Sequence, residues 1–210
     1  PIVEEAGFTV EYGGQFEARR SAVRTLAMTG TAITVLMFLL LRVSTGRNRI
    51  ALLVMLNLPL ALIGGVVAIF LTESPSIAGN ILALFGSGGR YVAPVVSIAS
   101  LVGFITLFGI AVRNGILLVN HVDHLRGNED MELREAILVG SMERLTPILM
   151  TALTAALGLI PLALSAGEPG SELLAPLAVV VLGGLTTSTL LNLFVVPAGY
   201  ALAFGVPRTD

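Results

Sequence analysis

Residues 103–119 read GFITLFGIAVRNGILLV, an apolar stretch interrupted by one arginine, Arg113. With its apolar flanks this stretch is long enough to cross the hydrocarbon core of a bilayer, which takes about 20 residues in an α-helix. The rest of the chain has the same character, with 55% hydrophobic residues, 12% charged residues and a mean hydropathy of +0.90. Because soluble domains carry about 25% charged residues, the composition predicts an integral membrane protein.

Charged residues are absent or rare in five stretches of suitable length, so the predicted fold class is an all-α membrane protein with five transmembrane helices. The transmembrane domain covers residues 24–207, and Pro197 is expected to kink or end the last helix. The predicted spans lie at about 24–42, 50–72, 95–122, 145–166 and 173–204.

Arginines predict the orientation of these spans. The connections after the first and third spans, with their flanking residues, hold six of the twelve basic residues, whereas the two opposite connections hold only Arg90. Because basic residues are retained in short cytoplasmic loops, we expect the amino terminus outside the cytoplasm and the carboxyl terminus inside it.

The segment 1–23 before the first span does not look membranous. Residues 8–12 alternate like a β-strand and residues 15–24 are typical of a polar helix that enters the first span. A single strand is not stable alone, so we expect its sheet to lie in sequence beyond this chain, which would then be a fragment of a larger protein.

Two connections between spans are long. Residues 73–94 are rich in glycine and proline and include a short apolar run, and they carry no function that the sequence indicates. Residues 123–144 form the predicted cytoplasmic connection. Within it, residues 131–141 mix apolar and charged side chains in a pattern typical of a short amphipathic helix at the membrane surface.

Arg113 is the most informative residue because a charged side chain near mid-bilayer costs roughly 2.5–3.5 kcal/mol. All fourteen acidic residues lie outside the five hydrophobic stretches, so its natural partner is a carboxylate on a helix that this chain lacks. The simpler alternative is that Arg113 reaches the interface or bonds to backbone carbonyls. That reach spans about nine residues, or roughly 13 Å of helix, so we favour a functional charge.

Arg144 and Thr151 are seven residues apart, close to two helical turns, which puts them on one helix face. From the sequence alone the simpler explanations are favoured for both. Arg144 can be a flanking residue paired with Glu143, and the Thr151 hydroxyl can bond to a carbonyl one turn back.

Several other polar residues carry less information. His121, Asp123 and His124 cluster near the end of the third span, but an ordinary interfacial cluster is favoured over a metal site, and no metal site is predicted. The asparagines of the spans are expected to form hydrogen bonds between helices, worth about 0.6–2 kcal/mol each; they are Asn57, Asn114, Asn120 and Asn192.

The motif at 103–119 resembles the tenth span of resistance-nodulation-division (RND) efflux pumps, and residues 144–153 (RLTPILMTAL) resemble the start of their eleventh span. The segments at 167–172 (GEPGSE), 181–184 and 194–197 resemble the following loop and the twelfth span. Within the family, the sequences of these motifs are most similar to those of the heavy-metal efflux branch, the CzcA-like pumps.

The resemblance implies that this chain supplies spans eight to twelve of a proton-driven transporter, with residues 1–23 ending a periplasmic porter domain and 73–94 forming an insertion. It implies a proton relay at Arg113, Arg144 and Thr151, to which we add Asn114 from the same motif. The implied partners are the amino-terminal half of the same pump, two further copies in a homotrimer, a periplasmic adaptor and an outer-membrane channel, all at a bacterial inner membrane.

Other classes of function find little support in the sequence. The net charge of −2 does not favour nucleic-acid binding, and no catalytic or cofactor-binding motif is present. We therefore expect neither an enzyme nor a bound cofactor. Two alternatives stay open, namely a drug- or lipid-exporting pump of the same superfamily and a membrane fragment that does not transport.

Overall fold

A computed structural model describes residues 15–74, 76–84, 91–94, 96–128 and 131–205. Over these ranges the chain is helical and contains no strand; the predicted strand at 8–12 lies outside the described residues. All helices except α3 are long and apolar enough to cross a membrane, so the prediction of an all-α membrane protein with five spans is confirmed. The helices are α1 (Gln15–Thr45), α2 (Asn48–Glu73), α3 (Ile77–Leu84), α4 (Ile98–Asn128), α5 (Leu133–Leu164) and α6 (Leu174–Phe204).

Helices α1, α4 and α5 extend at one or both ends past the apolar stretches that predicted them, whereas α6 does not. The segment 131–141 was expected to form a separate surface helix, but from Leu133 it is the beginning of α5, which continues into the apolar span without a break. Leucine, glutamate, arginine and alanine favour helix, so the change from polar to apolar side chains does not interrupt the backbone. Pro197 does not end α6 either, since the helix continues to Phe204.

Helix α6 lies against α2, α4 and α5, while α1 contacts α2 and α4. Small residues allow the closest of these contacts. A β-carbon added to Gly183 of α6 would lie 2.5 Å from the carbonyl oxygen of Gly64 in α2, and one added to Gly184 would lie 3.0 Å from the carbonyl oxygen of Ala61. Close backbone approach of this kind is how membrane helices gain packing energy without a hydrophobic driving force.

The short helix α3 is held to the chain that follows it by Asn80, whose side chain is buried. Its Oδ1 accepts a hydrogen bond from the Val92 N–H at 2.8 Å, and its Nδ2 donates to the Val92 carbonyl at 2.7 Å and to the Ser74 hydroxyl at 3.2 Å. One amide therefore organises the described part of the long connection between α2 and α4.

Candidate functional site

The four residues predicted for a relay line one cavity of about 240 Å³ between α4, α5 and α6. Arg113 and Asn114 come from α4, and Arg144 and Thr151 come from α5. Sequence reasoning missed the contribution of α6, which supplies Leu185 to the wall. The remaining lining residues are Ile110, Leu117, Pro147, Ile148 and Ala155.

Arg113 is exposed at the open side of this cavity. Among the described residues, no carboxylate lies within 4 Å of its guanidinium group and no hydrogen-bond acceptor is found for it. Its neighbours along the cavity, Ile110 and Leu117, are apolar. The side chain thus points to the surface of this helix bundle, at a position where the described residues supply no negative charge.

Arg144 does not pair with its neighbour Glu143. The Glu143 carboxylate instead lies 2.5 Å from Nε2 of His121, which joins α5 to α4. The Arg144 Nε is buried and has no hydrogen-bond partner in the part of the chain that the structure describes. A buried donor without a partner is costly, so the simple pairing considered for Arg144 does not account for its position.

Thr151 and Asn114 complete the polar lining. The Thr151 hydroxyl donates to the Ile148 carbonyl at 2.9 Å, so the local bond considered from the sequence is present. Thr151 still faces the same cavity as Arg144, as the seven-residue spacing predicts. Asn114 is buried against the bundle, with 7% of its surface exposed.

Further polar groups lie buried among α2, α4 and α6. Asn57 donates from Nδ2 to the Ala111 carbonyl of α4 at 3.3 Å, which is the expected kind of bond between helices. Asn192 is fully buried, yet within the described residues neither polar atom of its side chain has a partner, and the same holds for the Ser188 hydroxyl. The expectation of a hydrogen bond between helices therefore fits Asn57 but not Asn192.

The cluster of His121, Asp123 and His124 is not assembled as a ligand set. Asp123 accepts a hydrogen bond from the Tyr200 hydroxyl and lies 3.6 Å from Arg47, while His121 pairs with Glu143. No group of three or more histidine, aspartate, glutamate or cysteine side chains comes together within the described ranges. These contacts tie α4 to the α1–α2 turn, to α6 and to α5.

The two guanidinium groups in this small cavity determine which kind of ligand it can hold. Arginine keeps its positive charge in proteins, and a positive side chain within a membrane is stable only when it meets a negative or strongly polar partner. The cavity therefore suits a carboxylate brought from outside the described residues, with the Asn114 amide beside it.

Comparison with known proteins agrees with this geometry. A sequence model described as the AcrB/AcrD/AcrF family matches residues 2–203. The chain belongs to this family. Protein HelA of Legionella pneumophila is 41% identical over 200 residues, which covers 95% of this chain and 17% of that protein. The cobalt-zinc-cadmium resistance protein CzcA of Cupriavidus metallidurans is 37% identical over 198 residues, covering 94% of this chain and 17% of CzcA.

A solved structure described as a heavy metal efflux pump has the same fold as this AcrB/AcrD/AcrF family member. The two are 39% identical with a TM-score of 0.71, and the match covers 92% of this chain and 17% of the pump. The chain therefore spans about one-sixth of the length of the relatives that it matches. The resemblance to RND permeases of the heavy-metal efflux branch is confirmed.

Proposed function

We propose that this chain forms part of the membrane domain of a proton-driven efflux pump that exports heavy-metal cations. The observation that carries the proposal is the cavity of Arg113, Asn114, Arg144 and Thr151, which holds two positive charges and receives no carboxylate from the described residues. Similarity to CzcA, a protein named for resistance to cobalt, zinc and cadmium, supports the class of substrate.

In the proposed mechanism, a carboxylate from another part of the pump pairs with Arg113 while it is ionised. A proton taken up from outside the cytoplasm neutralises that carboxylate and removes the attraction. Helix α4 then shifts relative to the helix that carries the acid, and release of the proton to the cytoplasm restores the pair. Arg113 responds to the proton without carrying it, because arginine does not lose its charge.

The proposed surroundings follow the family resemblance. The remaining helices come from the same pump, which works as a homotrimer in a bacterial inner membrane with a periplasmic adaptor and an outer-membrane channel. The proposed orientation places the amino terminus in the periplasm and the carboxyl terminus in the cytoplasm. Arg42, Arg47, Arg49 and Arg126 all lie at the end of the bundle that this orientation puts in the cytoplasm, in agreement with the retention of basic residues there.

The test uses the protein expressed from its complete gene in inverted membrane vesicles, with uptake of zinc or cobalt driven by a proton gradient. We expect Arg113→Ala to reduce uptake to the level of vesicles without a gradient, because the carboxylate loses its counter-charge. Arg113→Lys keeps the charge and is expected to retain part of the transport. Arg24→Ala, an exposed arginine of α1, is the matched control and is expected to transport normally.

Proton-driven uptake by Arg113→Ala at the wild-type rate, with equal amounts of assembled protein, would contradict the proposal. The substrate class is tested separately in cells that lack their own metal pumps. We expect the complete gene to raise tolerance to cobalt, zinc or cadmium salts. Raised tolerance to organic dyes without any to metal salts would favour a drug pump instead.

A further inference from the structure

At the turn between α1 and α2, a second positively charged cavity of about 440 Å³ is present, here termed the arginine pocket. Its lining residues are Arg42, Gly46, Arg47, Asn48, Arg49 and Phe204. Gly46 has a positive φ of 64°, a conformation that glycine adopts without strain. It lets α1 end at Thr45 and α2 begin at Asn48, so three arginines fall within eight residues of chain and converge on the last residue of α6.

The positive charge of the arginine pocket is not balanced within the part of the chain that the structure describes. Arg47 lies 3.6 Å from Asp123, whose carboxylate also accepts the Tyr200 hydroxyl, and stacks 5.4 Å from the centre of the Phe204 ring. Over the same ranges neither Arg42 nor Arg49 has an ion pair or a side-chain hydrogen bond. No acidic side chain among the described residues lines the pocket.

Exposed apolar side chains lie on the two helices that end at the arginine pocket, although they do not line it. Val43, next to Arg42 on α1, is 82% exposed, and Leu202, near the end of α6, is 85% exposed. The pocket lies where two membrane-length helices end, which is the depth of lipid headgroups when those helices span a bilayer. A ligand here meets positive charge at its polar end and an apolar surface along the helices.

The geometry points to a binding site for an anionic phospholipid. Guanidinium groups bind phosphate through paired N–H donors, and basic pockets between transmembrane helices bind the headgroups of acidic lipids. The phosphate would lie between Arg42 and Arg49, and the acyl chains would follow Val43 on α1 and Leu202 on α6. Phosphatidylglycerol satisfies both requirements, whereas a free phosphate ion satisfies only the first. The site is separate from the cavity of Arg113 and does not depend on proton coupling.

The test compares lipid binding to the purified complete protein by native mass spectrometry, with phosphatidylglycerol, phosphatidylcholine and glycerol phosphate as probes. The double variant Arg42→Gln/Arg49→Gln is expected to lose roughly tenfold or more in affinity for phosphatidylglycerol, since each basic residue near an acidic headgroup contributes measurably. Arg47 is left in place because it pairs with Asp123. The control Arg20→Gln/Arg24→Gln removes the same charge at the other end of α1 and is expected to bind as the wild type does.

A second measurement needs no variant. Phosphatidylglycerol with a photoreactive group on one acyl chain is expected to label peptides that contain Val43 and Leu202 in the wild-type protein. Equal affinity of the Arg42→Gln/Arg49→Gln variant for phosphatidylglycerol would overturn the proposal, as would labelling spread evenly over α1 to α6. Displacement of the lipid by glycerol phosphate at similar concentration would show a site for soluble phosphate and would also overturn it.

Discussion

Two groups of helices in this bundle are equally apolar but differently packed. In the most apolar stretches of α2, α4 and α6, 44%, 44% and 50% of the residues are buried within the chain, whereas in α1 and α5 the fraction is 6% each. The sequences of α5 and α6 are alike in hydropathy, so apolar character alone does not decide which helix lies in the centre. Small residues do, because Gly64, Gly183 and Gly184 allow α2 and α6 to touch backbone to backbone.

The cavity of Arg113, Asn114, Arg144 and Thr151 lies at the boundary between these two groups. Its α4 and α6 walls belong to the packed centre, which holds Asn114 and Leu185 in place, and its α5 wall belongs to the uncovered group. A charged site with one fixed wall and one uncovered side is accessible to a partner from outside the described residues. The contrast between the groups therefore bears directly on the proposed function.

The largest expected effect comes from a substitution within the packed centre, where α2 and α6 touch. Gly183→Val would place side-chain atoms against the backbone of Gly64, which cannot move aside without separating α2 from α6. Overpacking of a core costs about 1–3 kcal/mol or more. We expect Gly183→Val to lower the free energy of unfolding by an amount at or above the upper end of that range. Size-exclusion chromatography of the detergent-solubilised protein should show loss of the folded species.

Gly158→Val on α5 is the matched control, because nothing lies within 4 Å of a β-carbon added there. It is expected to elute as the wild type does. If both glycine variants fold equally well, the distinction between a packed and an uncovered group is wrong.

Replacing one leucine in each group of helices tests the same comparison through the free energy of unfolding. Leu107 of α4 is fully buried and Leu157 of α5 is 70% exposed. Leu107→Ala should lower the free energy of unfolding by about 2–5 kcal/mol through the cavity it leaves, whereas Leu157→Ala should change it by less than about 0.5 kcal/mol. Denaturant titration in mixed micelles measures both. A loss at Leu157 as large as that at Leu107 would mean that α5 is covered in the assembled protein.

The smallest effect concerns the link between the groups. His121 of α4 and Glu143 of α5 form a pair whose glutamate is 55% exposed. Exposed pairs contribute about 0–1 kcal/mol, so a double-mutant cycle with His121→Ala and Glu143→Ala should give a coupling energy in that range. A coupling well above it would indicate that α5 is fixed to α4 more firmly than its burial suggests.

Much of the fold could be predicted because membrane spans appear in the sequence as long stretches with few or no charged residues. The limits of α4 and α5 could not, since a helix continues wherever its residues tolerate it, and residues 123–144 are mostly good helix formers. Which helices are buried within the protein could not be predicted either, because lipid and protein interior both select apolar side chains. Polar contacts were predicted only in part. An asparagine in a membrane span was expected to form a hydrogen bond between helices, but within the described residues Asn192 forms none.

The candidate site was predicted in two ways. Arg113 stood out by physical reasoning, as a charge in a span without an acid at its depth, while Arg144 and Thr151 were selected only through resemblance to a family. The structure places all of them at one cavity. It adds Leu185 of α6, for which the sequence contains no signal, because an ordinary leucine in an apolar helix has nothing to distinguish it.

The central claim is that Arg113 receives a carboxylate from another segment of the pump. A structure of the complete protein by electron cryomicroscopy, at a pH where carboxylates are ionised, tests it most directly. The account predicts an aspartate or glutamate oxygen within 4 Å of the Arg113 guanidinium, inside the hydrocarbon region. An Arg113 side chain that lies among lipid headgroups or in open water, with no acidic residue beside it, would contradict the account.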